Sequence, residues 1–198
     1  MTATGARMPA AERRLELVET AVRVFAEGSY RGTTTAEIAR AAGVSEPTLY
    51  RHFASKRDLY FAALDHVWAQ GKASWEAALD KEPNVLAALE AIGRNHFGVR
   101  DCKRQLSELW VQALSEATED PELRKYLRRH LREVHDFFAG LLRRGQEEGV
   151  LHADRDVDAE AWNFISGSIL GMVGRRVGLL DDAEVSRIRA SRLGWLSA

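Results

Sequence analysis

The chain has 198 residues, 45% of them apolar, and its 28 Lys/Arg against 29 Asp/Glu leave a net charge of −1. This is the composition of an ordinary globular protein with enough apolar material for a buried core, in one domain or two small ones. Its single cysteine, Cys102, excludes an intrachain disulfide and a thiolate-rich metal site, and fits a reducing cytoplasm.

Ala, Leu, Arg and Glu dominate, the four prolines fall near helix starts or in the N-terminal tail, and no stretch alternates like a strand, so an all-α fold is predicted. Charge is uneven along the chain. Residues 1–57 carry nine Lys/Arg and six Glu, a net of +3, which leaves −4 for the remainder. A mildly basic head on an acidic body suits a protein that meets DNA with one end.

Residues 1–9 have no periodicity and read as a flexible N-terminal arm. From Ala10 to Glu27 the apolar residues Leu15, Val18, Val22 and Phe25 recur at three and four, which predicts an amphipathic helix that Gly28 ends. The stretch Thr33–Lys56, TTTAEIARAAGVSEPTLYRHFASK, then reads as a helix-turn-helix. Thr34 and Glu37 have the spacing of a reciprocal capping box, and Ile38, Ala39 and Ala42 face inward. Gly43 stands where the backbone must turn through a positive φ.

Ser45 is positioned to cap the second helix, with Pro47 in its first turn, where a missing amide costs nothing. That helix is predicted from Glu46 to about Phe53, with Val44, Leu49 and Phe53 buried. Thr48, Tyr50, Arg51 and His52 are left outside without partners in the domain, an outward set that suits the major groove. Glu46, Pro47 and Thr48 would lead into the groove, while Tyr50, His52 and Lys56 reach flanking phosphates.

The order Thr-Thr, Ile-Ala, Ala-Ala-Gly-Val-Ser, Leu-Tyr-x-His-Phe, Lys-x-x-Leu resembles the DNA-binding domain of TetR-type regulators, with Phe25, Gly32, Lys56 and Leu59 also in register. The resemblance covers roughly residues 10–65 and implies a DNA-binding surface of Thr33, Thr34, Ser45, Glu46, Pro47, Thr48, Tyr50, Arg51, His52 and Lys56.

Ser55 is set to cap a fourth helix, Lys56 to about Leu79, that joins the helix-turn-helix to the acidic half. Pro83 is predicted to start a fifth helix bearing Val85, Leu89, Ile92 and His96 on one face, and a sixth spans about Lys103–Ala117. Asp120-Pro121 opens a long seventh helix that Gly145 or Gly149 closes. An eighth is expected from about Asp158 to Leu180, and a ninth from Asp181 or Asp182 to Trp195. The domain expectation is an arm at 1–9, a helix-turn-helix domain at 10–57 and a helical ligand-binding and dimerisation domain at 58–198.

DPELRKYL and GVLHADRDVDAE also resemble the second domain of the TetR-type family. That resemblance implies a small-molecule pocket among helices four to eight, with candidates Trp68, His96, Gln105, Trp110, Phe138, Trp162 and Asn163. The eighth helix carries Gly167, Gly171, Gly174 and Gly178, each lowering helix propensity by roughly 1 kcal/mol, and this predicts close helix approach. With Val185 and Ile188 of the ninth helix they form the expected homodimer interface, the other reading being a bend or tight contact inside one subunit.

No catalytic constellation is found: the histidines lack HExxH spacing, and neither Gly-x-Ser-x-Gly nor a phosphate loop is present. No metal, cofactor or enzymatic activity is expected. Phe164–Leu180 is interrupted by Arg175–Arg176 and does not read as a membrane span, and the N-terminus lacks an apolar signal core, so a soluble cytoplasmic protein is expected.

Together these features predict a homodimeric regulator, a repressor of a pseudo-palindromic double-stranded DNA operator, released by a small apolar or aromatic effector. A helical ligand-binding or enzymatic domain with a vestigial DNA-binding head is the alternative. A DNA-binding protein answering to a protein partner, or to nothing, is a third.

Overall fold

The structure, a computed structural model, describes residues 9–97 and 101–198, with side chains 95–107 outside the description. The expected arm therefore lies almost wholly outside the described residues. Among those described, the chain forms α1 (Ala10–Glu27), α2 (Thr35–Ala41), α3 (Glu46–Tyr50), α4 (Lys56–Leu79), α5 (Val85–Phe97), α6 (Asp101–Glu116), α7 (Pro121–Glu147), α8 (Val157–Arg176) and α9 (Asp182–Leu196). The only extended pairing among them is an isolated antiparallel bridge between Leu151 and Ser197. No described helix is long and apolar enough to cross a membrane.

The chain divides into two units, Met1–Ala69 and Gln70–Ala198, so the boundary falls inside α4. In the first unit, Leu17, Phe25, Ile38, Leu49, Phe53 and Leu59 are at most 1% exposed and form the core on which α1, α2 and α3 close. Each such side chain contributes about 1.5–3 kcal/mol by leaving water. Phe25 meets Tyr60 edge to face, with ring centroids 4.9 Å apart, and Tyr30 packs on Tyr60 at 4.7 Å. Leu15, expected in the buried stripe of α1, is instead 47% exposed, and Leu17 takes the inward position.

In the second unit α7 is the central helix, packed on α5, α6 and α8 and burying Leu123, Leu127, Phe138 and Leu142. Its start follows the sequence signal, since Asp120 accepts hydrogen bonds from the Glu122 and Leu123 amides. Its end, Glu148, accepts the Val85 amide at 2.8 Å and so anchors the start of α5. That hydrogen bond is the main reason the Glu148 carboxyl sits below the usual carboxylate range, with Arg144 adding to it.

Some boundaries differ from expectation. α5 begins at Val85 rather than Pro83, because Asn84 supplies the cap, accepting the Ala87 amide at 3.0 Å. α8 stops at Arg176, and Gly178 follows with φ +69°, ending the helix rather than lying within it. Leu180 then folds back onto Gly174, where a Cβ would come within 2.8 Å of the leucine side chain.

Candidate nucleic-acid interface and ligand cavity

The turn between α2 and α3 is held by three local devices. The Thr34 hydroxyl accepts the Glu37 amide at 3.2 Å while Glu37 accepts the Thr34 amide at 2.7 Å, the reciprocal box expected from the sequence. The Thr34 amide and hydroxyl are also the leading reasons that the Glu37 carboxyl is held below its usual range. Gly43 adopts φ +66°, and the Val44 amide returns to the Ala39 carbonyl at 2.9 Å. Ser45 then caps α3, accepting the Thr48 amide.

α3 is shorter than expected, five residues, and continues to Phe53 only as a tight turn in which His52 and Phe53 both bond back to the Leu49 carbonyl. Val44 is half-buried, whereas Leu49 and Phe53 are buried. Thr48, Tyr50 and Arg51 are not without partners, which corrects the expectation for them. Thr48 meets the Ser45 hydroxyl at 2.8 Å and receives Arg51 Nη2 at 3.0 Å. Tyr50 meets the Thr35 hydroxyl at 3.1 Å, and that hydroxyl donates to Glu46. The face is therefore pre-ordered by a polar net that joins α2 to α3.

Thr33, in the DNA-binding candidate set, is 4% exposed, with its hydroxyl against the space a Gly28 side chain would fill. Thr34, Ser45, Pro47, Tyr50 and Arg51 are exposed, and Glu46, Thr48, His52 and Lys56 are half-buried. Lys56 Nζ lies 4.7 Å from the centre of the Tyr30 ring, which steers its ammonium group. Arg14 does the same over Phe53 at 4.1 Å and donates to the His52 carbonyl at 2.9 Å, bracing the end of the recognition segment from α1. Thr35, Arg14 and Tyr30 were not among the sequence candidates. Thr35 stands between the cap Thr34 and the buried Ile38, and that position was its only signal.

The second unit contains a cavity of about 680 Å³, within the range of small-molecule sites. Trp75, Phe138 and Phe164 give it an aromatic wall, and α9 adds Val185, Ile188, Arg189 and Arg192. Of the ligand candidates, Phe138 and Asn163 line it. Trp110 does not, and instead packs on the buried His130 ring at 4.2 Å. Trp162 packs on His135 at 4.5 Å and is 45% exposed. Trp68 belongs to the part of α4 in the first unit. The His96 and Gln105 side chains lie outside the described residues.

The interface candidates also divide. Gly167, Gly171, Val185 and Ile188 line the cavity, Gly174 receives Leu180, and Gly178 turns the chain. Trp75, Arg189 and Arg192 were missed by sequence reasoning. The signal for the arginines was present, because Val185, Ile188, Arg189 and Arg192 follow the i, i+3, i+4, i+7 pattern of one helix face.

Comparison with known proteins follows this division. Residues 17–63 match the model for bacterial regulatory proteins of the tetR family, and residues 85–190 match that for the C-terminal part of a BetI-type transcriptional repressor. The chain is 38% identical over 91 residues to the transcriptional activator FasR of Mycolicibacterium smegmatis, covering 44% of this chain and 42% of FasR. With the transcriptional repressor KstR2 of Rhodococcus jostii it shares 29% over 161 residues, covering 77% of this chain and 74% of KstR2. A crystal structure of a transcriptional regulator from Saccharomonospora viridis in complex with choline superposes with a TM-score of 0.80, at 22% identity over 95% of this chain and 99% of that one.

Proposed function

Because this chain belongs to the TetR family of bacterial regulatory proteins, we propose that it is a homodimeric repressor in the cytoplasm, released from its operator when a small apolar or aromatic molecule fills the cavity. It is a DNA-binding transcriptional regulator; the direction of control, the dimer and the effector are the proposed steps. The observation that carries the reading is the pairing of a pre-ordered helix-turn-helix face with a cavity of about 680 Å³ in a separate unit. Repression is favoured because the repressor matches extend over the second unit, whereas the activator FasR is matched over only 91 residues.

Dimerisation is supported by apolar side chains left in water on the last two helices. Leu170 and Val173 of α8 and Ile188 and Trp195 of α9 are each 41–52% exposed, and all but Val173 also line the cavity, so the proposed dimer face and the cavity rim share residues. Clustered exposure of this kind marks association surfaces. A two-fold dimer would present paired recognition helices to successive major grooves, about 34–36 Å apart, on a pseudo-palindromic site. A choline-like cation is not the proposed ligand, because the charged side chains among the described lining residues are both guanidinium groups.

An effector moves such an equilibrium only through unequal affinity for the free and DNA-bound forms, and the coupling is reciprocal. The test is to measure operator affinity with and without candidate ligands, and ligand affinity with and without operator. For a hundredfold release the coupling is about 2.7 kcal/mol and must be found in both directions. A compound that strips the protein from DNA while binding both forms equally acts by competition at the head and refutes the reading. Sedimentation as a monomer at micromolar concentration, with tight binding to a single half-site, would refute the dimer.

A further inference from the structure

The charge inside the cavity narrows the ligand further, on the reading that the cavity is the effector site. Arg189 reaches across from α9 to α5, where its Nη1 donates to the Gly93 carbonyl at 2.6 Å. The position is built to receive it, since a Cβ on Gly93 would collide with the Arg189 Cδ. That contact uses one of the five N–H donors of a guanidinium. Arg192, the second arginine among the described lining residues, is paired with the Glu160 carboxylate of α8. Arg189 has no ion pair among the described residues; Glu90 attracts it from farther away but is itself paired with Arg94 at 3.5 Å, and the repulsion from Arg94 is the larger of the two effects.

Among the described residues the cavity therefore holds an aromatic wall, one arginine paired with a carboxylate, and one arginine that donates to a carbonyl and has no carboxylate within ion-pair range. A half-buried guanidinium is most strongly satisfied by a carboxylate, through two parallel charge-assisted hydrogen bonds. An aromatic wall by itself also suits a quaternary ammonium, through the ring faces. Here the Arg189 guanidinium opposes that, and no carboxylate stands among the described lining residues to favour a cation.

We propose that the cavity takes an amphipathic carboxylic acid, its apolar body against Trp75, Phe138 and Phe164 and its carboxylate on Arg189. Arg189 is then the residue that selects anionic over neutral and cationic ligands of the same shape, and Arg192 remains tied to Glu160.

The test compares three probes of one chain length on the full protein: decanoate, decanol and decyltrimethylammonium, each below its micelle concentration. Binding is followed by calorimetry and by tryptophan fluorescence, since Trp75 and Trp195 line the cavity. Decanoate should bind at least tenfold more tightly than either analogue. Arg189→Gln should erase that preference, and Arg189→Lys, which keeps the charge, should retain it at reduced affinity. Failure of decanoate to bind, or equal or tighter binding of decanol or the ammonium compound, overturns the proposal. So does an acid preference that survives in Arg189→Gln, which would make Arg189 only a clamp on α5. The release mechanism is scored separately by operator titration: decanoate that binds through Arg189 but leaves DNA affinity unchanged sinks the release reading and not the acid site.

Discussion

The Thr35 hydroxyl in the first turn of α2 stands 3.1 Å from the Tyr50 hydroxyl at the end of α3 and also donates to the Glu46 carboxylate. One buried threonine thus sets the angle between the two helices of the DNA-binding motif. Thr35→Val conserves shape but leaves Glu46 and Tyr50 without that partner, and should cost about 1–3 kcal/mol of stability. It should also weaken operator binding, because the outward face loses its order. Tyr50→Phe removes a single hydrogen bond and should cost about 0.5–1.5 kcal/mol. Urea unfolding and operator titration of both variants check this, and an unaltered operator affinity in Thr35→Val would separate the clasp from recognition.

Lys56, steered by the Tyr30 ring, is placed for phosphate rather than base contact. Lys56→Ala should weaken binding to all sequences alike and flatten the dependence of log affinity on log salt by about 0.9 per lost phosphate contact. Thr48→Ala, at the leading turn of α3, should alter sequence preference instead. A changed consensus for Lys56→Ala with an unchanged salt slope would reverse these roles.

His130 is buried, 4% exposed, between Trp110 and Tyr126. Burial first, and then the neighbouring Arg129, push its pKa down to about 4 from the ordinary 6.5. The folded chain holds it neutral while the unfolded chain takes up a proton, so stability is fully present above about pH 6.5 and is lost as the pH falls from there toward 4. The loss approaches roughly 2–3 kcal/mol at the lower end. In His130→Phe that part of the pH dependence should vanish, as measured by denaturant midpoints between pH 4 and 7.

Gly145, buried near the end of α7, is a site of close approach. A Cβ there would meet Leu151 Cδ1 at 2.5 Å and Val85 Cγ1 at 3.2 Å. Gly145→Ala gains helix propensity of about 1 kcal/mol and loses about 1–3 kcal/mol to overpacking. The net effect should be destabilising and visible as a lower thermal midpoint, whereas Gly140→Ala, with open space around its Cβ, should be neutral or stabilising.

Local signals carried the first unit well. Thr34 with Glu37, Gly43 and Ser45 each act within a few residues, so the capping box, the positive φ and the α3 cap could be read from spacing. The same holds for Asp120 before Pro121 at the start of α7. The misread positions are those where a distant partner decides. Asn84 displaced Pro83 as the start of α5 with the help of Glu148, some sixty residues away. Leu17 won the inward face of α1 from Leu15 because the position of α2 defines that face. The cavity gathers residues from α4, α5, α7, α8 and α9, so Phe138 and Asn163 were found by type, while Trp75 and Arg189 required the tertiary packing to be known.

The manner in which α9 is fastened bears on chemical denaturation. That helix buries only Val185, Leu193 and Leu196; its end is tied by the backbone bridge at Leu151 and Ser197, and three of its other anchors are arginines: Arg192 on Glu160, Arg189 on the Gly93 carbonyl, and Arg155 against the Trp195 ring at 3.8 Å. Guanidinium chloride is both a denaturant and a salt, and its cation competes directly for the carboxylate, carbonyl and ring that these arginines occupy, whereas urea carries no charge. The C-terminal helix should therefore loosen ahead of the rest of the chain in guanidinium, and together with it in urea.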